Sequence, residues 1–348
     1  MTVVGRATPD RVVGGAALIV ALVAPAILPA YWIGTLLTQV MFLGIVAASL
    51  IFLSAYAGMV SLGQVALYGT AGFVLGNLTT NGNTKGLNLG WNPWWGVVVG
   101  IAVATAVGLI FGALASRSVG VYFLMITLTF SVIANLFFGQ VVTFSGFGGI
   151  SGVPAPGLIG KVSAHQNRLY YIALVVAFCV YALLRYLVRT PFGLTLQGIR
   201  DDPVRMESLG YNVTFHRTIA FGFAAFIAAI GGVLFVWWNG HIDPASIDLG
   251  ATVDVLVIAV LGGLYRLEGA WVGALVFVVL NNYSQRIGFW SLSTRFETLI
   301  GIIFLVIVLV SPGGLVGLWE RAMTSRSGQP RGPSDRTPVE IGQVGPST

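Results

Sequence analysis

The densest group of charged side chains in this sequence stands in a polar interval at residues 190–217. Its titratable members are Arg200, Asp201, Asp202, Arg205, Glu207, His216 and Arg217. Carboxylates and guanidinium groups at this spacing make ion pairs and charged hydrogen bonds, the chemistry with which one protein surface recognises another. From these residues alone two interpretations stay open: an element that docks in a partner's groove, or a solvated loop with ordinary turn chemistry.

Catalytic chemistry is not indicated elsewhere in the sequence. His165, His216 and His241 stand far apart, without the spacing of metal ligands. The phosphate-binding run G-x-x-x-x-G-K-[ST] does not occur, and neither does G-x-S-x-G or H-E-x-x-H. We therefore expect no catalytic residue, no metal site and no cofactor-binding site. An intramembrane transferase acting on lipid-linked substrates is disfavoured for the same reason.

The polar interval itself predicts two short helices. Residues 192–200 can form the first helix, and Asp202 is placed as the N-cap of a second helix that ends at Gly210. Asp201 and Arg205 stand at the i, i+4 spacing that supports an ion pair. The second helix has an uneven apolar side, so it buries poorly by itself.

The remainder of the chain is apolar and predicts an all-α polytopic integral membrane protein. Of its 348 residues 56% are hydrophobic and 9% are charged, whereas a soluble domain carries about 25% charged residues. About ten transmembrane or re-entrant helices are expected. The apolar segments are 12–30, 33–54, 58–78, 94–115, 119–139, 169–189, 217–238, 251–265, 270–284 and 296–311. The eighth and ninth are short, which predicts a broken or re-entrant pair around Gly262 and Gly263.

The deep polar side chains of these segments are mainly neutral, which suits the passage of a neutral or zwitterionic solute. The candidate pathway-lining residues are Ser61, Gln64, Thr127, Thr129 and Asn135. Each of them is equally the kind of residue that bonds one helix to another. Asp254 is the best candidate for a membrane-embedded acid, although capping or helix pairing is the favoured interpretation. An ion-driven secondary carrier, which needs a buried charge, therefore stays as an alternative.

The distribution of Lys and Arg predicts the orientation. If all ten segments cross from a cytoplasmic N-terminus, thirteen of the 18 basic residues fall inside and five outside, as the positive-inside rule requires. Both termini and residues 190–217 are then cytoplasmic. The expected organisation is a cytoplasmic N-terminal segment at 1–11, a transmembrane domain at 12–318 that contains the 190–217 loop, and a disordered cytoplasmic tail at 319–348.

Several glycine-rich motifs, taken in order along the chain, resemble the permease subunits of the branched-chain amino acid class of ABC importers, of the LivM type. They are GMVSLG at 58–63, RSVGVYFLMITLTF at 117–130, GIRDD at 198–202, LGYN at 209–212 and VLGGL at 260–264. The resemblance covers roughly residues 55–285. Two positions depart from the family pattern. Gln64 stands where relatives often have histidine, and Leu194 stands where they frequently have arginine.

The resemblance implies the ABC importer permease fold and a non-catalytic subunit in the cell inner or plasma membrane. It implies four kinds of partner: a LivH-like second permease, two ATP-binding-cassette ATPase subunits that bind the ATP, a periplasmic or lipid-anchored solute-binding protein, and membrane lipid. The residues it assigns to coupling with the ATPase are Arg200, Asp201, Asp202, Arg205, Glu207 and Gly210. Leucine, isoleucine, valine, urea and short amides all stay open as substrates, because selection is expected to reside in the binding protein.

Overall fold

A computed structural model describes residues 32–81, 86–157 and 166–286 of the chain, together with positions 301, 314 and 317. Helices dominate these ranges. They are α1 (Thr38–Ala57, preceded by a π-helical turn at Trp32–Leu37), α2 (Gln64–Thr79), α3 (Pro93–Ala115), α4 (Val121–Gln140), α5 (Gln166–Arg189), α6 (Pro191–Asp201), α7 (Pro203–Ser208), α8 (Val213–Asn239), α9 (Leu249–Gly262) and α10 (Gly269–Arg286).

Five helices of the described ranges are long and apolar enough to cross a membrane: α1 with its π-helical turn, α3, α4, α5 and α8. They confirm the prediction of an all-α polytopic membrane protein. Exposed Trp91, Trp94 and Trp95 gather where α3 begins, as is typical of an aromatic belt at a membrane interface. The predicted helix at 12–30 lies outside the described residues, as do the predicted helix at 296–311 apart from position 301 and the terminal segments 1–11 and 319–348.

Two buried helices, α1 and α8, form the centre of the bundle, and α2 packs against α8. Helix α3 packs against α2 and α8 with a stripe of small residues that includes Gly96, Gly100, Ala104 and Gly108. A Cβ atom added at Gly100 would lie 2.9 Å from the carbonyl oxygen of Ala71 in α2. Because lipid gives helices no hydrophobic drive to associate, such close approach of backbones holds the bundle together by van der Waals contact.

The connection between α1 and α2 returns into the protein interior. Helix α1 ends at Gly58, whose φ of 67° is left-handed. The backbone then runs without helical structure, and the amide of Leu62 donates to the hydroxyl of Thr127 at 3.1 Å. Gln64, the first residue of α2, accepts a hydrogen bond from Ser49 in α1 at 3.1 Å. The predicted segment 58–78 is therefore helical only from Gln64, because the chain must turn at Gly58.

Helices α9 and α10 form a short antiparallel pair, which confirms the predicted break around Gly262 and Gly263. The pair has 14 and 18 residues, and Gly263 takes a φ of 115°. The connection between the two helices is tied to α5. Glu268 accepts hydrogen bonds from the hydroxyl of Tyr181 at 2.6 Å and from the guanidinium of Arg185 at 2.9 Å.

At the opposite end of the bundle, the loop after α4 is rich in glycine, proline and turns. One feature was not predicted: β1 (Ile150–Ser151) pairs antiparallel with β2 (His241–Ile242), and a 3-10 turn at Pro244–Ile247 follows. The side chain of Asn135 donates to the carbonyl of Pro244 at 2.6 Å. The loop after α4 and the segment after α8 are thus joined through β1 and β2, and together we call them the lip; Asn135 bonds the lip to α4.

The crossing of α2 and α8 at Gly232 gives a test of this packing. A methyl group at Gly232 would overlap the carbonyl oxygen of Tyr68, which is backbone and cannot rotate away. We expect Gly232→Ala to destabilise the protein by about 1–3 kcal/mol through overpacking. The Tm of the detergent-solubilised protein should fall by several degrees, whereas Gly157→Ala, where nothing lies within 4 Å, should leave it unchanged. Equal Tm values for the two variants would contradict the close crossing.

Candidate functional site

Helices α6 and α7, called here the docking segment, are built on side-chain caps. Thr190 accepts a hydrogen bond from the amide of Gly193 at 3.4 Å at the start of α6, and Asp202 accepts one from the amide of Arg205 at 3.0 Å at the start of α7. Gly210, with a φ of 89°, ends the segment before α8 begins. The prediction of two short helices with Asp202 as an N-cap is confirmed. Caps at both starts make the segment an ordered element.

One face of α6 is fixed to the membrane helices. Leu196 and Ile199 are completely buried. The guanidinium of Arg200 donates a hydrogen bond to the carbonyl of Ala55 in the last turn of α1. A Cβ atom at Gly58 would lie 2.8 Å from Cγ of Arg200, so the arginine stem lies directly against the end of α1. Arg200 therefore joins the docking segment to the central helix of the bundle.

The other face of the docking segment is exposed and mixes charge with apolar surface. Val204 is 71% exposed and Leu209 is 65% exposed. The candidate coupling residues Asp201, Asp202, Arg205 and Glu207 are exposed around them, as is Gly210. Large apolar side chains that protrude among charges are typical of a surface that a partner covers.

The predicted ion pair between Asp201 and Arg205 is wrong. Asp201 pairs with Arg200 instead, at 2.8 Å between Oδ1 and Nη2. Asp202 has an extended backbone, with φ −152° and ψ 92°, which separates α6 from α7. The i, i+4 geometry of one continuous helix is therefore lost. Asp201 instead holds the guanidinium that also contacts α1.

Most of the candidate pathway-lining residues are engaged in contacts within the protein. Ser61 accepts from the amide of Gly63 at 3.2 Å, and Gln64 and Thr127 hold the α1–α2 connection. Asn135 is bonded to the lip, and Thr129 is exposed and donates to its own helix at Met125. The structure brings Ser61, Gln64 and Thr127 into one region and leaves Thr129 and Asn135 apart. A pathway role for these five residues stays a prediction.

A cavity of about 390 Å³ lies at the end of the bundle opposite the docking segment, and we call it the outer cavity. It opens between α1, α2, α8, α9, α10 and the 3-10 turn. None of the five candidate pathway-lining residues is among those that line it. Its polar lining residues are Gln39, Tyr68, Asp243, Ser246, Asp254 and Asn281, and its aromatic ones include Phe42, Phe235 and Phe277.

Sequence reasoning identified only part of this cavity. Asp254 stood out as a membrane-embedded acid, but Asp243 did not. In the sequence Asp243 precedes Pro244 after a helix, which is the pattern of an ordinary turn, and it does cap the 3-10 turn by accepting from the amide of Ser246 at 2.9 Å. No sequence signal distinguishes that capping role from a position on a cavity wall.

Comparisons of the sequence with known proteins identify a family. The family model described as branched-chain amino acid transport system / permease component matches residues 32–310. The high-affinity branched-chain amino acid transport system permease protein LivM of Salmonella typhimurium is 25% identical over 249 residues, which is 65% of this chain and 57% of the relative. The probable LivM of Methanocaldococcus jannaschii is 28% identical over 182 residues, 49% of this chain and 52% of the relative.

A LivH permease is also similar. That of Salmonella typhimurium is 28% identical over 157 residues, 44% of this chain and 49% of the relative. The chain thus matches about half of the length of the curated relatives. No solved structure matches.

The cap at Asp202 can be tested by proteolysis. Asp202→Ala should open α7 more often, because loss of an N-cap costs roughly 1 kcal/mol, or about a fivefold shift in equilibrium. Trypsin cleavage after Arg205, followed by mass spectrometry, should accelerate by that factor. Asp202→Asn keeps a capping oxygen and should be cleaved at the wild-type rate. Equal acceleration in both variants would show that charge rather than capping orders α7.

Proposed function

The chain belongs to the family of branched-chain amino acid transport system permease components, and on that premise we propose that it forms half of the membrane pathway of an ATP-driven importer of branched-chain amino acids. A LivH-like permease supplies the other half. Two ATP-binding-cassette ATPase subunits bind the docking segment from the cytoplasm, and a periplasmic or lipid-anchored binding protein delivers the amino acid to the opposite side. The subunit itself is non-catalytic.

The observation that carries this proposal is the exposed, capped docking segment. A membrane protein gains nothing in stability from Val204 and Leu209 in contact with water. Burial of these side chains in a partner's groove would stabilise a complex, while Asp202 and Glu207 supply charged contacts at its rim. Because α7 is held by its own cap rather than by the partner, little ordering entropy is lost on docking.

The attachment of α6 supports mechanical coupling. A movement of the ATPase that tilts α6 displaces Leu196, Ile199 and Arg200 together, and these residues contact the end of α1 or the core around it. Helix α1 in turn packs against α5, α8, α9 and α10. Closely packed helices transmit such displacements as rigid bodies.

The positions of the arginines support a cytoplasmic docking segment. Most arginines of the described residues lie at the docking end of the bundle: Arg117, Arg185, Arg189, Arg200, Arg205, Arg217 and Arg266. At the opposite end of the described bundle stand Arg168 and Arg286. An excess of arginine on one side is the pattern of a cytoplasmic face.

The direct test is uptake by the assembled complex. With the second permease, the ATPases and the binding protein reconstituted in liposomes, radiolabelled leucine should accumulate only when ATP is supplied to the ATPase side. Accumulation of urea but not of leucine would keep the architecture and change the substrate class. Uptake by this chain alone, without ATPases, would instead support an ion-coupled carrier.

Docking can be tested by charge removal that spares the cap. We expect Asp202→Asn combined with Glu207→Gln to abolish uptake and substrate-stimulated ATP hydrolysis, because charged contacts to the ATPase are lost while α7 stays capped. Membrane insertion should be normal. Asp248→Asn makes the same carboxylate-to-amide change at an N-cap of the opposite end and should transport normally. Normal uptake by the double variant would remove the docking role from this segment.

Transmission can be separated from docking at Arg200. In Arg200→Met the hydrogen bond to Ala55 is lost but the exposed face of α7 is unchanged, so the ATPase should still co-purify while leucine uptake falls several-fold. Arg189→Met, which removes an exposed guanidinium from the end of α5, is the matched control and should transport normally. Loss of ATPase binding in Arg200→Met would mean that Arg200 acts in docking instead.

A further inference from the structure

The outer cavity is lined by acidic side chains, which a passive pathway for uncharged solutes does not require. Two carboxylates from different elements face it: Asp243 from the loop after α8 and Asp254 from α9. Resting on the proposed transport function, we propose that this cavity is a binding station for the substrate and holds its protonated amino group at Asp254 and Asp243. The substrate class is then a zwitterionic amino acid rather than urea or an amide.

The dimensions fit a single small solute. Pockets that bind small molecules measure roughly 300–1,000 Å³, and the outer cavity of about 390 Å³ stands at the lower end of that interval. Five helices and one turn contribute to its wall, so a bound solute touches most of the elements that must move during transport. A ligand shared in this way can favour one arrangement of the helices over another.

The two carboxylate oxygens of Asp243 have different neighbours. Its Oδ1 accepts from the amide of Ser246 at 2.9 Å and from the hydroxyl of Ser246 at 2.6 Å. Its Oδ2 lies 3.6 Å from Nε2 of His241. The two hydrogen bonds from Ser246 fix the carboxylate in the lining of the cavity. A substrate ammonium that approaches it would make a charge-assisted hydrogen bond, which is about twice as strong as a neutral one.

Aromatic rings supply the apolar part of the site. Phe42 and Phe235 pack edge to face, with ring centroids 5.6 Å apart, and Phe235 also contacts Tyr68 at 5.2 Å. Phe277 lines the same space. A branched aliphatic side chain finds apolar contact here, and the ring faces also attract an ammonium group.

Neutral amide side chains match the carboxylate end of the substrate. Gln39 on α1 and Asn281 on α10 line the cavity. Amide N–H groups donate to a carboxylate without the cost of burying another charge. Carboxylates and amides that line one cavity thus offer partners to both ends of a zwitterion.

The test uses a reporter cysteine in the cavity of the assembled complex. The chain's single cysteine, Cys179, is replaced by serine, and Ala245→Cys places a thiol on the exposed part of the lining. Two methanethiosulfonate reagents are applied from the outer side, one with a trimethylammonium group and one with a sulfonate group. After correction for their rates with free cysteine, the cationic reagent should react about tenfold faster or more, because a carboxylate-lined cleft concentrates cations.

Variants assign this preference to the two carboxylates. Asp254→Asn and Asp243→Asn should each lower the ratio of the two rates several-fold. Asp248→Asn, which removes a nearby carboxylate that does not line the cavity, should leave the ratio unchanged. Ala251→Cys, on the α9 side of the cavity, repeats the measurement if the first reporter disturbs the turn. Equal rates with both reagents, or no reaction at either reporter, would overturn the proposal.

Ligand protection identifies the substrate group. L-Leucine and isopentylamine should slow labelling of the reporter, whereas isocaproate and urea, which lack an ammonium group, should not. Protection by isocaproate equal to that by leucine, or protection by urea, would overturn the assignment of an amino-group site. Labelling needs neither ATP nor docking of the ATPase, so this result is independent of whether the docking segment couples to a motor.

Discussion

The structure depends on close contact between helix backbones in surroundings that give no hydrophobic drive for association. In lipid, apolar side chains are as well solvated between helices as against acyl chains, so contact must come from van der Waals fit. This chain achieves it with glycine at the crossings. Gly100 approaches Ala71, Gly232 approaches Tyr68 and Gly44 approaches Trp271 so closely that a methyl group has little or no room. Such crossings are rigid, and rigidity is what allows a displacement at one end to reach the other.

Helix α1 extends from one end of this rigid bundle to the other. Its first half contributes Gln39, Phe42 and Val46 to the outer cavity, and its last turn presents the carbonyl of Ala55 to Arg200. No other helix of the described ranges both lines the cavity and receives a side-chain hydrogen bond from the docking segment. The two ends of the proposed function, substrate binding and coupling, therefore meet on one helix.

Sequence reasoning was most accurate where local chemistry decides the conformation. Asp202 was predicted as an N-cap from its residue type and position, and it accepts a hydrogen bond from an amide of the next helix. Thr190 and Asn212 cap their helices in the same way but were not predicted. It was least accurate where tertiary contacts decide. The apolar run at 58–78 hides a break that is stabilised by Thr127 and Ser49 from other helices, and Asp243 lines a cavity that only the packed bundle creates. A single sequence does not show which residues that are far apart in the chain come into contact in the folded protein.

If the chain transports as proposed, the α1–α2 connection is the part of this rigid bundle best able to rearrange. Ser61, Gln64 and Thr127 are buried at this connection. The backbone from Gly58 to Gly63 is not helical, and its amides at Leu62 and Gly63 are bonded to hydroxyl groups rather than to helix carbonyls. A hydroxyl can rotate and exchange partners, whereas a helical ladder must break. A shift of α1 by the docking segment can therefore rearrange this connection while every transmembrane helix keeps its backbone hydrogen bonds, which a protein in lipid cannot give up.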